Sequence, residues 1–85
     1  SAFYSVKELI YLYPNNQTYG QLYFSLISDL KKWDELLDNP IIYFSDSYLI
    51  HKMFLQTLEK HNSIDFNLKT ELKRYSTEKF ADLEN

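Results

Sequence analysis

The 85-residue sequence contains no cysteine, one glycine and two prolines. The absence of cysteine excludes disulfides, thiolate catalysis and zinc or iron–sulfur sites with cysteine ligands. Small secreted domains usually depend on such cross-links, so we expect an intracellular, cytoplasmic location. Because few residues are present that support tight turns, short strands joined by hairpins are disfavoured and helices are favoured.

Long hydrophobic runs are also missing, since no uninterrupted apolar run exceeds five residues even when tyrosine is counted. Nothing in the sequence resembles a signal peptide or a membrane span, and we expect no membrane association. The formal net charge is −3, from nine basic and twelve acidic residues, without a basic tail that would hold a polyanion. Hydrophobic residues make up 45% of the chain, which is typical of a sequence that folds, here as one domain over residues 1–85.

Capping residues and apolar periodicity predict an all-α, mainly helical domain of about four helices. The first helix is predicted over residues 5–13, the third over residues 48–61 with Asp46 or Ser47 as its cap, and the fourth after a cap at Ser63 or Asp65. The more polar residues 76–85 are predicted to form a frayed or helical tail.

The longest predicted helix covers residues 18–38 and forms the centre of the fold. Thr18 provides an N-cap, and apolar residues recur at a spacing near 3.6 until Asn39 and Pro40 end the pattern. At about 1.5 Å per residue this helix is roughly 30 Å long, the diameter of a small domain. The core face that we predict for it carries Leu22, Leu26, Ile27 and Leu30.

Residues 41–44, with the sequence IIYF, are β-branched and aromatic. They lie between Pro40 and Ser45, and this pattern predicts one short extended segment near residues 40–44. The chain offers no clear second strand that would pair with it. Because an unpaired strand can add to the sheet of another protein, the segment indicates a binding role.

Motifs for catalysis, metal binding and cofactor binding are missing as well. His51 and His61 lie ten residues apart, about three turns along one helix, so they cannot ligate one ion together, and we expect both at the surface or its boundary. No Gly-x-Ser-x-Gly context surrounds a serine, and there is no glycine-rich phosphate loop. We therefore expect no enzymatic activity, no metal, no cofactor and no small-molecule ligand.

Tyrosine is in clear excess, with eight tyrosines beside six phenylalanines. A domain of this size cannot bury all of these phenols with every hydroxyl satisfied, so some must lie near the surface. Tyrosine is enriched at protein–protein interfaces, although the codon usage of an AT-rich genome is another explanation of the excess. The residues that we expect to contact a partner are Tyr19, Tyr23, Trp33, Tyr43 and Tyr48.

These observations favour a small non-enzymatic protein-interaction module, acting as a regulator, an inhibitor or an assembly factor. Its expected partner is another protein or a second copy of the chain. The unpaired apolar segment and the tyrosine excess are the two observations behind this hypothesis.

Residues 3–9, with the sequence FYSVKEL, resemble the opening helix of excisionase-type winged-helix DNA-binding proteins. In that resemblance the helix from Thr18 is the recognition helix, residues 40–47 form the wing and residues 48–61 form the helix behind it. The resemblance implies a DNA-binding regulator as the alternative function. The chain departs from the family pattern, because its recognition helix has no arginine or lysine before Lys31 and its wing lacks glycine and arginine.

One basic cluster, on the predicted fourth helix, would contact nucleic acid if the alternative function holds. It consists of Lys69, Lys73 and Arg74, of which the first two share a helix face. Glu71 and Glu78 interrupt the positive field. The cluster is therefore either a phosphate-binding face or an ordinary solvated helix surface.

Overall fold

A computed structural model describes residues 1–84 and confirms the all-α class. Within these residues there are six α-helices and one 3-10 turn, where the sequence predicts about four helices. The helices are α1 Ala2–Leu12, α2 Gln17–Leu30, α3 Trp33–Leu37, α4 Tyr48–Glu59, α5 Phe66–Lys79 and α6 Ala81–Glu84, and the 3-10 turn is Ile41–Tyr43. The predicted tail, residues 76–85, lies in α5 and α6 as far as Glu84, and Asn85 lies outside the described residues.

The core lies where α2 packs against α1 on one side and α4 on the other, with the 3-10 turn against α4. Ring contacts connect these elements, such as the stacked pair of Phe3 and Tyr23, whose centroids are 5.8 Å apart. The helix α5 packs on α4 and contributes a single apolar side chain to the core. The buried core side chains are Phe3, Ile10, Tyr23, Phe24, Ile27, Leu36, Ile41, Ile42, Ile50, Phe54, Leu58 and Leu72.

Three helices begin at a side-chain cap. Asn16, Ser47 and Asp65 each accept a hydrogen bond from the backbone amide three residues on, an arrangement worth about 1 kcal/mol of stability. Of the alternative caps predicted from the sequence, Ser47 and not Asp46 caps α4, and Asp65 and not Ser63 caps α5. Thr18 is not a cap, because α2 begins at Gln17 and Asn16 occupies the capping position.

The predicted helix over residues 18–38 is wrong in one respect, since it is interrupted at Lys31 and Lys32. Lys31 has a left-handed backbone with φ of 53°, and the amides of these two lysines donate to carbonyls in the last turn of α2 at 3.4 and 2.9 Å. The turn redirects α3 so that Glu35 forms an ion pair with Lys7 of α1. The apolar period continues through these two lysines although the backbone leaves the helix there.

The core face of α2 also differs from the predicted face. Of the four predicted core residues, Ile27 is buried and Leu26 is half-buried, but Leu22 and Leu30 are about half exposed. The apolar stripe is wide enough that a rotation by one residue leaves it amphipathic, so periodicity alone does not fix the face. The residues of α2 that are buried are Gly20, Tyr23, Phe24 and Ile27.

The segment near residues 40–44 is not the predicted extended segment, and no strand occurs anywhere between residues 1 and 84. Ile41 and Ile42 are both buried in the 3-10 turn. Two amides at the end of the turn donate to carbonyls three residues earlier, at 3.0 and 2.9 Å. These local bonds satisfy the amides of Tyr43 and Phe44, and residues 1–84 contain no strand beside the segment, so the expectation that it adds to a partner's sheet loses its basis.

Gly20 allows α2 to approach α4 closely. A Cβ atom at this position would lie 2.3 Å from Cδ1 of Ile50 and 3.2 Å from Cε of Met53. Because Ile50 is fully buried, its side chain has little room to shift. We expect Gly20→Ala to lower the free energy of unfolding by about 1–3 kcal/mol, measured by urea denaturation, in spite of the higher helix propensity of alanine.

A double-mutant cycle tests whether the overlap with Ile50 is the cause. Ile50→Val removes the Cδ1 atom that the new methyl group would overlap, and alone it should cost about 0.5–1.5 kcal/mol. The double variant should therefore be more stable than the sum of the two single effects predicts. Strictly additive effects would contradict this account of Gly20.

Candidate functional site

His51 on α4 is a buried polar side chain, with only 1% of its surface exposed. From the sequence we place it at the surface or its boundary, and this prediction is wrong. Phe54 and Leu58 follow His51 by three and seven residues, so helical geometry places it on the same buried face. That spacing is the signal in the sequence that identifies it.

Both ring nitrogens of His51 are hydrogen-bonded. Nε2 lies 2.8 Å from the backbone carbonyl oxygen of Ser45, and Nδ1 lies 2.8 Å from the hydroxyl oxygen of Ser76 on α5. Because a carbonyl oxygen can only accept, the proton of the neutral ring is on Nε2 and the Ser76 hydroxyl donates to Nδ1. His51 therefore connects α4, the segment preceding it and α5.

Two charged groups lie beside this network. The ammonium group of Lys79 donates to the same Ser45 carbonyl at 3.2 Å and to the carboxylate of Asp46 at 2.9 Å. Burial lowers the pKa of His51 below its ordinary value of 6.5, and the hydrogen bond to Ser45 opposes this shift. Lys79 lowers the pKa further while Asp46 raises it. The imidazole is consequently neutral at pH 7.

The segment that accepts the His51 hydrogen bond is itself held in place. The side-chain oxygen of Asn15, between α1 and α2, accepts hydrogen bonds from the Ser45 hydroxyl at 3.0 Å and from the Asp46 amide at 2.8 Å. The hydroxyl of Ser45 also accepts from the amide of Ser47 at 3.1 Å. The Ser45 carbonyl is therefore a fixed acceptor toward His51.

Aromatic rings surround the imidazole on the α5 side. The ring centroid of Phe80 is 4.7 Å from that of His51 in an edge contact, and the Tyr75 ring stacks at 6.3 Å. Tyr48 meets Phe80 edge to face at 5.4 Å, and the ammonium of Lys52 lies 5.3 Å from the centroid of the Tyr48 ring. A shallow groove of about 270 Å³ runs between α4 and α5 beside these rings.

The Ser76 and His51 pair has the contact distance of a nucleophile with its base, but the surroundings do not fit acyl transfer. Ser76 is buried and lies within α5, where backbone amides are used in the helix and none is available as an oxyanion donor. Protonation of the pair is also opposed by burial. The arrangement is suited to holding a neutral imidazole between helices.

A second feature is a row of aromatic side chains at the surface, which we call the aromatic strip. The rings of Tyr75 and Tyr43 meet edge to face at 4.8 Å, and those of Phe44 and Tyr11 meet at 5.7 Å. Tyr43 and Phe44 are adjacent in the chain, so the two ring pairs are connected through the backbone at the end of the 3-10 turn. The exposed fractions are 47% for Tyr43, 54% for Phe44 and 37% for Tyr75, while Tyr11 is half-buried.

The five residues predicted to contact a partner do not share one environment. Tyr43 is in the aromatic strip, and Tyr48 lies beside the His51 rings. Tyr19 is half-buried against Tyr13, at 6.2 Å, and Trp33 stacks on His61 at 5.1 Å with an interplanar angle of 5°. Tyr23, predicted to contact a partner, is instead 1% exposed and lies inside the core.

Tyr11, Phe44 and Tyr75 belong to the aromatic strip although the sequence does not single them out for binding. Tyr11 is fixed there by its hydroxyl, which donates to the carbonyl of Asn39. The strip depends on a 3-10 turn where the sequence predicts an extended segment. The residues that form the strip therefore could not be identified without the tertiary structure.

The basic cluster predicted for nucleic acid is largely paired with carboxylates. Lys69 lies 2.9 Å from Glu59, and Lys73 forms an ion pair with the same carboxylate. These contacts hold the pKa of Glu59 below its usual range, with Lys73 the larger cause. Arg74 lies 3.8 Å from Glu71, so each of the three cations faces an acidic group.

The described part of the chain lacks three further features. The wing implied by the winged-helix resemblance, residues 40–47, contains the buried 3-10 turn and no strand. No group of three or more metal-ligating side chains occurs within residues 1–84. None of the described helices combines the length and the apolar character needed to cross a membrane.

Comparisons of the chain with protein-family models, with curated proteins and with solved structures found no match.

Proposed function

We propose that the protein is a small non-enzymatic interaction module that binds a segment of another protein through the aromatic strip. The observation that carries this proposal is the two pairs of contacting rings, Tyr43 with Tyr75 and Phe44 with Tyr11, in which three of the four rings are more than one-third exposed. Rigid aromatic side chains provide contact area at a low entropic cost and are enriched among interface residues that dominate affinity. The absence of cysteine supports an intracellular setting for this binding.

The strip is preorganised, which favours binding. Its rings are held by edge contacts with one another, and Tyr11 is held by its hydrogen bond to Asn39. A partner that covers the strip has few side-chain rotamers to immobilise. Phe66, by comparison, is 77% exposed and makes no ring contact with another described residue.

The charges beside the strip indicate a partner with basic side chains. A groove of about 210 Å³ next to Tyr43 and Tyr75 is lined by Glu71, Arg74 and Glu78, so its wall carries two carboxylates and one guanidinium. Charge complementarity therefore favours a partner segment that combines apolar side chains with lysine or arginine. The guanidinium or ammonium group of such a segment can also contact the faces of the tyrosine rings.

The same charges favour a different protein over a second copy of the chain. A two-fold symmetric dimer places each surface patch against its own copy, so a groove with two carboxylates and one guanidinium would face a groove of the same net negative charge. The net charge of −3 adds to this repulsion. The DNA-binding alternative has no specific support, because the basic cluster is paired with acidic groups and the expected wing is replaced by a 3-10 turn.

Selection of peptides by the purified protein tests the proposal. A phage-displayed library of random peptides should yield binders that combine aromatic or aliphatic residues with lysine or arginine. Binding of a selected synthetic peptide, measured by calorimetry, should weaken at least tenfold in the double variant Tyr43→Ser and Phe44→Ser, equivalent to about 1.4 kcal/mol. The helical circular dichroism of the variant should match that of the parent chain, since both side chains are about half exposed.

Phe66→Ser is the matched control, because it also replaces an exposed aromatic side chain by serine but lies outside the strip. It should leave peptide affinity unchanged. Selected peptides that bind equally well to the strip variant, or a library that yields no binder, would count against the proposed function.

A further inference from the structure

The helix α5 is attached to the rest of the fold through few buried groups. Leu72 and Ser76 are its only buried residues, and its remaining described surface is polar or partly exposed. Ser76 is the residue whose hydroxyl donates to His51. The docking of α5 therefore depends strongly on one apolar side chain and one buried hydrogen bond.

We propose that His51 is an acid-sensitive latch, and that protonation of its imidazole releases α5 from α4 and from the segment at residues 45–47. The geometry that supports the latch is the pair of 2.8 Å hydrogen bonds from one buried ring to Ser45 and to Ser76. These two bonds tie α5 to a segment that Asn15 holds in place. Acidification thus acts at the point where three parts of the chain meet.

A second proton on His51 conflicts with its present hydrogen bonds. Nε2 already carries a proton and donates it to the Ser45 carbonyl, so the added proton must go to Nδ1. Nδ1 then becomes a donor facing the Ser76 hydroxyl, which at present donates to it. The hydroxyl must turn its own hydrogen elsewhere within a buried site, where alternatives are few.

The surrounding groups decide whether the charged ring is tolerated. Lys79 on α5 lies against the same Ser45 carbonyl and opposes a second positive charge, while Asp46 favours it. Lys52 on α4 lines the adjoining groove, and the nearby rings are Tyr48, Tyr75 and Phe80. Contact of a cation with aromatic rings is favourable, but it does not replace the hydration that a buried charge loses.

The direction of the pH effect follows from these contributions. The pKa of His51 is lowered in the folded chain, chiefly by burial, relative to an ordinary value of 6.5 in the unfolded chain. The neutral His51 therefore stabilises the docked position of α5 fully above about pH 6.5. This stabilisation is lost as the pH falls toward the folded-state pKa. For one proton the opening constant of α5 rises by at most about tenfold per pH unit.

Release of α5 also removes Tyr75 from the aromatic strip, because Tyr75 lies on α5. Acidification is then expected to weaken partner binding. This consequence rests on the proposed function, whereas the release of α5 itself does not.

Amide hydrogen exchange between pH 7.5 and pH 5, corrected for the intrinsic pH dependence of exchange, tests the latch without any partner. The amides of α5 should lose protection on acidification by a larger factor than those of α1 and α2. In His51→Gln this loss should disappear, because the glutamine amide can still donate to Ser45 but does not titrate. His61→Gln is the matched control and should keep the response of the parent chain.

A pair of charge variants tests the proposal if His51→Gln folds poorly. Lys79→Gln and Asp46→Asn both remove the ion pair between Lys79 and Asp46, so any effect of losing that pair is the same in the two variants. Lys79→Gln removes a charge that lowers the His51 pKa and should reduce the acid response, whereas Asp46→Asn removes a charge that raises it and should enlarge the response. The latch is refuted if all helices lose protection equally on acidification, or if α5 of His51→Gln loses as much protection as α5 of the parent chain. It is also refuted if the two charge variants change the acid-induced loss of protection in the same direction. Peptide binding at pH 7.5 is measured separately, so failure of the latch and failure of the proposed function remain distinguishable.

Discussion

Replacement of Tyr23 by alanine is expected to lower the free energy of unfolding by about 3–5 kcal/mol, the range for deleting a large aromatic side chain from a core. Tyr23 is 1% exposed, and its ring contacts Phe3 at 5.8 Å and Phe24 at 5.3 Å. Its hydroxyl donates to the carbonyl of Glu35 at 3.3 Å, and burial raises its pKa. Urea denaturation with circular dichroism measures the loss.

Two controls separate core packing from other roles of Tyr23. Tyr23→Phe keeps the ring and removes the hydrogen bond to Glu35, so it should cost about 1 kcal/mol. Tyr43→Ala removes an exposed ring of the same type, whose edge contact with Tyr75 is worth about 0.5–1.5 kcal/mol. Equal losses for Tyr23→Ala and Tyr43→Ala would contradict the burial of Tyr23.

Replacement of Leu72 by alanine is expected to destabilise the docking of α5 by about 2–5 kcal/mol. Leu72 is 1% exposed and is the only side chain of α5 in the apolar core. Because the other buried residue of α5 is Ser76, little apolar contact remains to hold the helix after the substitution. Hydrogen exchange should therefore show the largest loss of protection in α5, with smaller losses in α1 and α2.

Leu68→Ala provides the matched control, since it is the same substitution one turn earlier on the same helix. Leu68 is 36% exposed, and its replacement should cost much less than that of Leu72. Losses of similar size at the two positions, or a loss spread evenly over all helices, would mean that α5 is not held mainly by Leu72.

The helical class and several helix ends were predictable because they depend on local chemistry. Ser47 and Asp65 cap their helices through hydrogen bonds to amides three residues away, and such contacts are readable from sequence. The low glycine content, which disfavours hairpins, and the absence of long apolar runs are likewise read directly from the sequence. These features do not depend on which elements pack together.

The interruption at Lys31 could not be predicted in the same way. Lysine has no preference for a left-handed backbone, and the apolar period continues through residue 37 without a glycine. Beyond the turn α3 contacts α1, where Glu35 pairs with Lys7 and accepts from the hydroxyl of Tyr4 at 3.2 Å. This partnership joins residues about thirty positions apart and has no local signal.

The His51 network and the aromatic strip were still harder to predict from the sequence, because both depend on tertiary structure. His51 has a local signal, its spacing from Phe54, but the sequence does not reveal that Ser45 and Ser76 satisfy its nitrogens. Without those partners a buried histidine is costly, and a surface position is the natural prediction. For the aromatic strip, the exposure of Phe44 beside the buried Ile42 follows from the 3-10 turn, where the sequence pattern predicts an extended segment.

The 3-10 turn has a consequence for how recognition by this domain can evolve. The amides of Tyr43 and Phe44 are bonded to carbonyls three residues earlier, so the proposed partner would be recognised at these two residues through side chains and not through backbone pairing. Tyr43 and Phe44 are about half exposed, while the neighbouring Ile41 and Ile42 are buried in the core. Substitutions at the two outer positions can therefore alter partner choice at little expense in folding stability, so that specificity and stability are able to change independently within a segment of four residues.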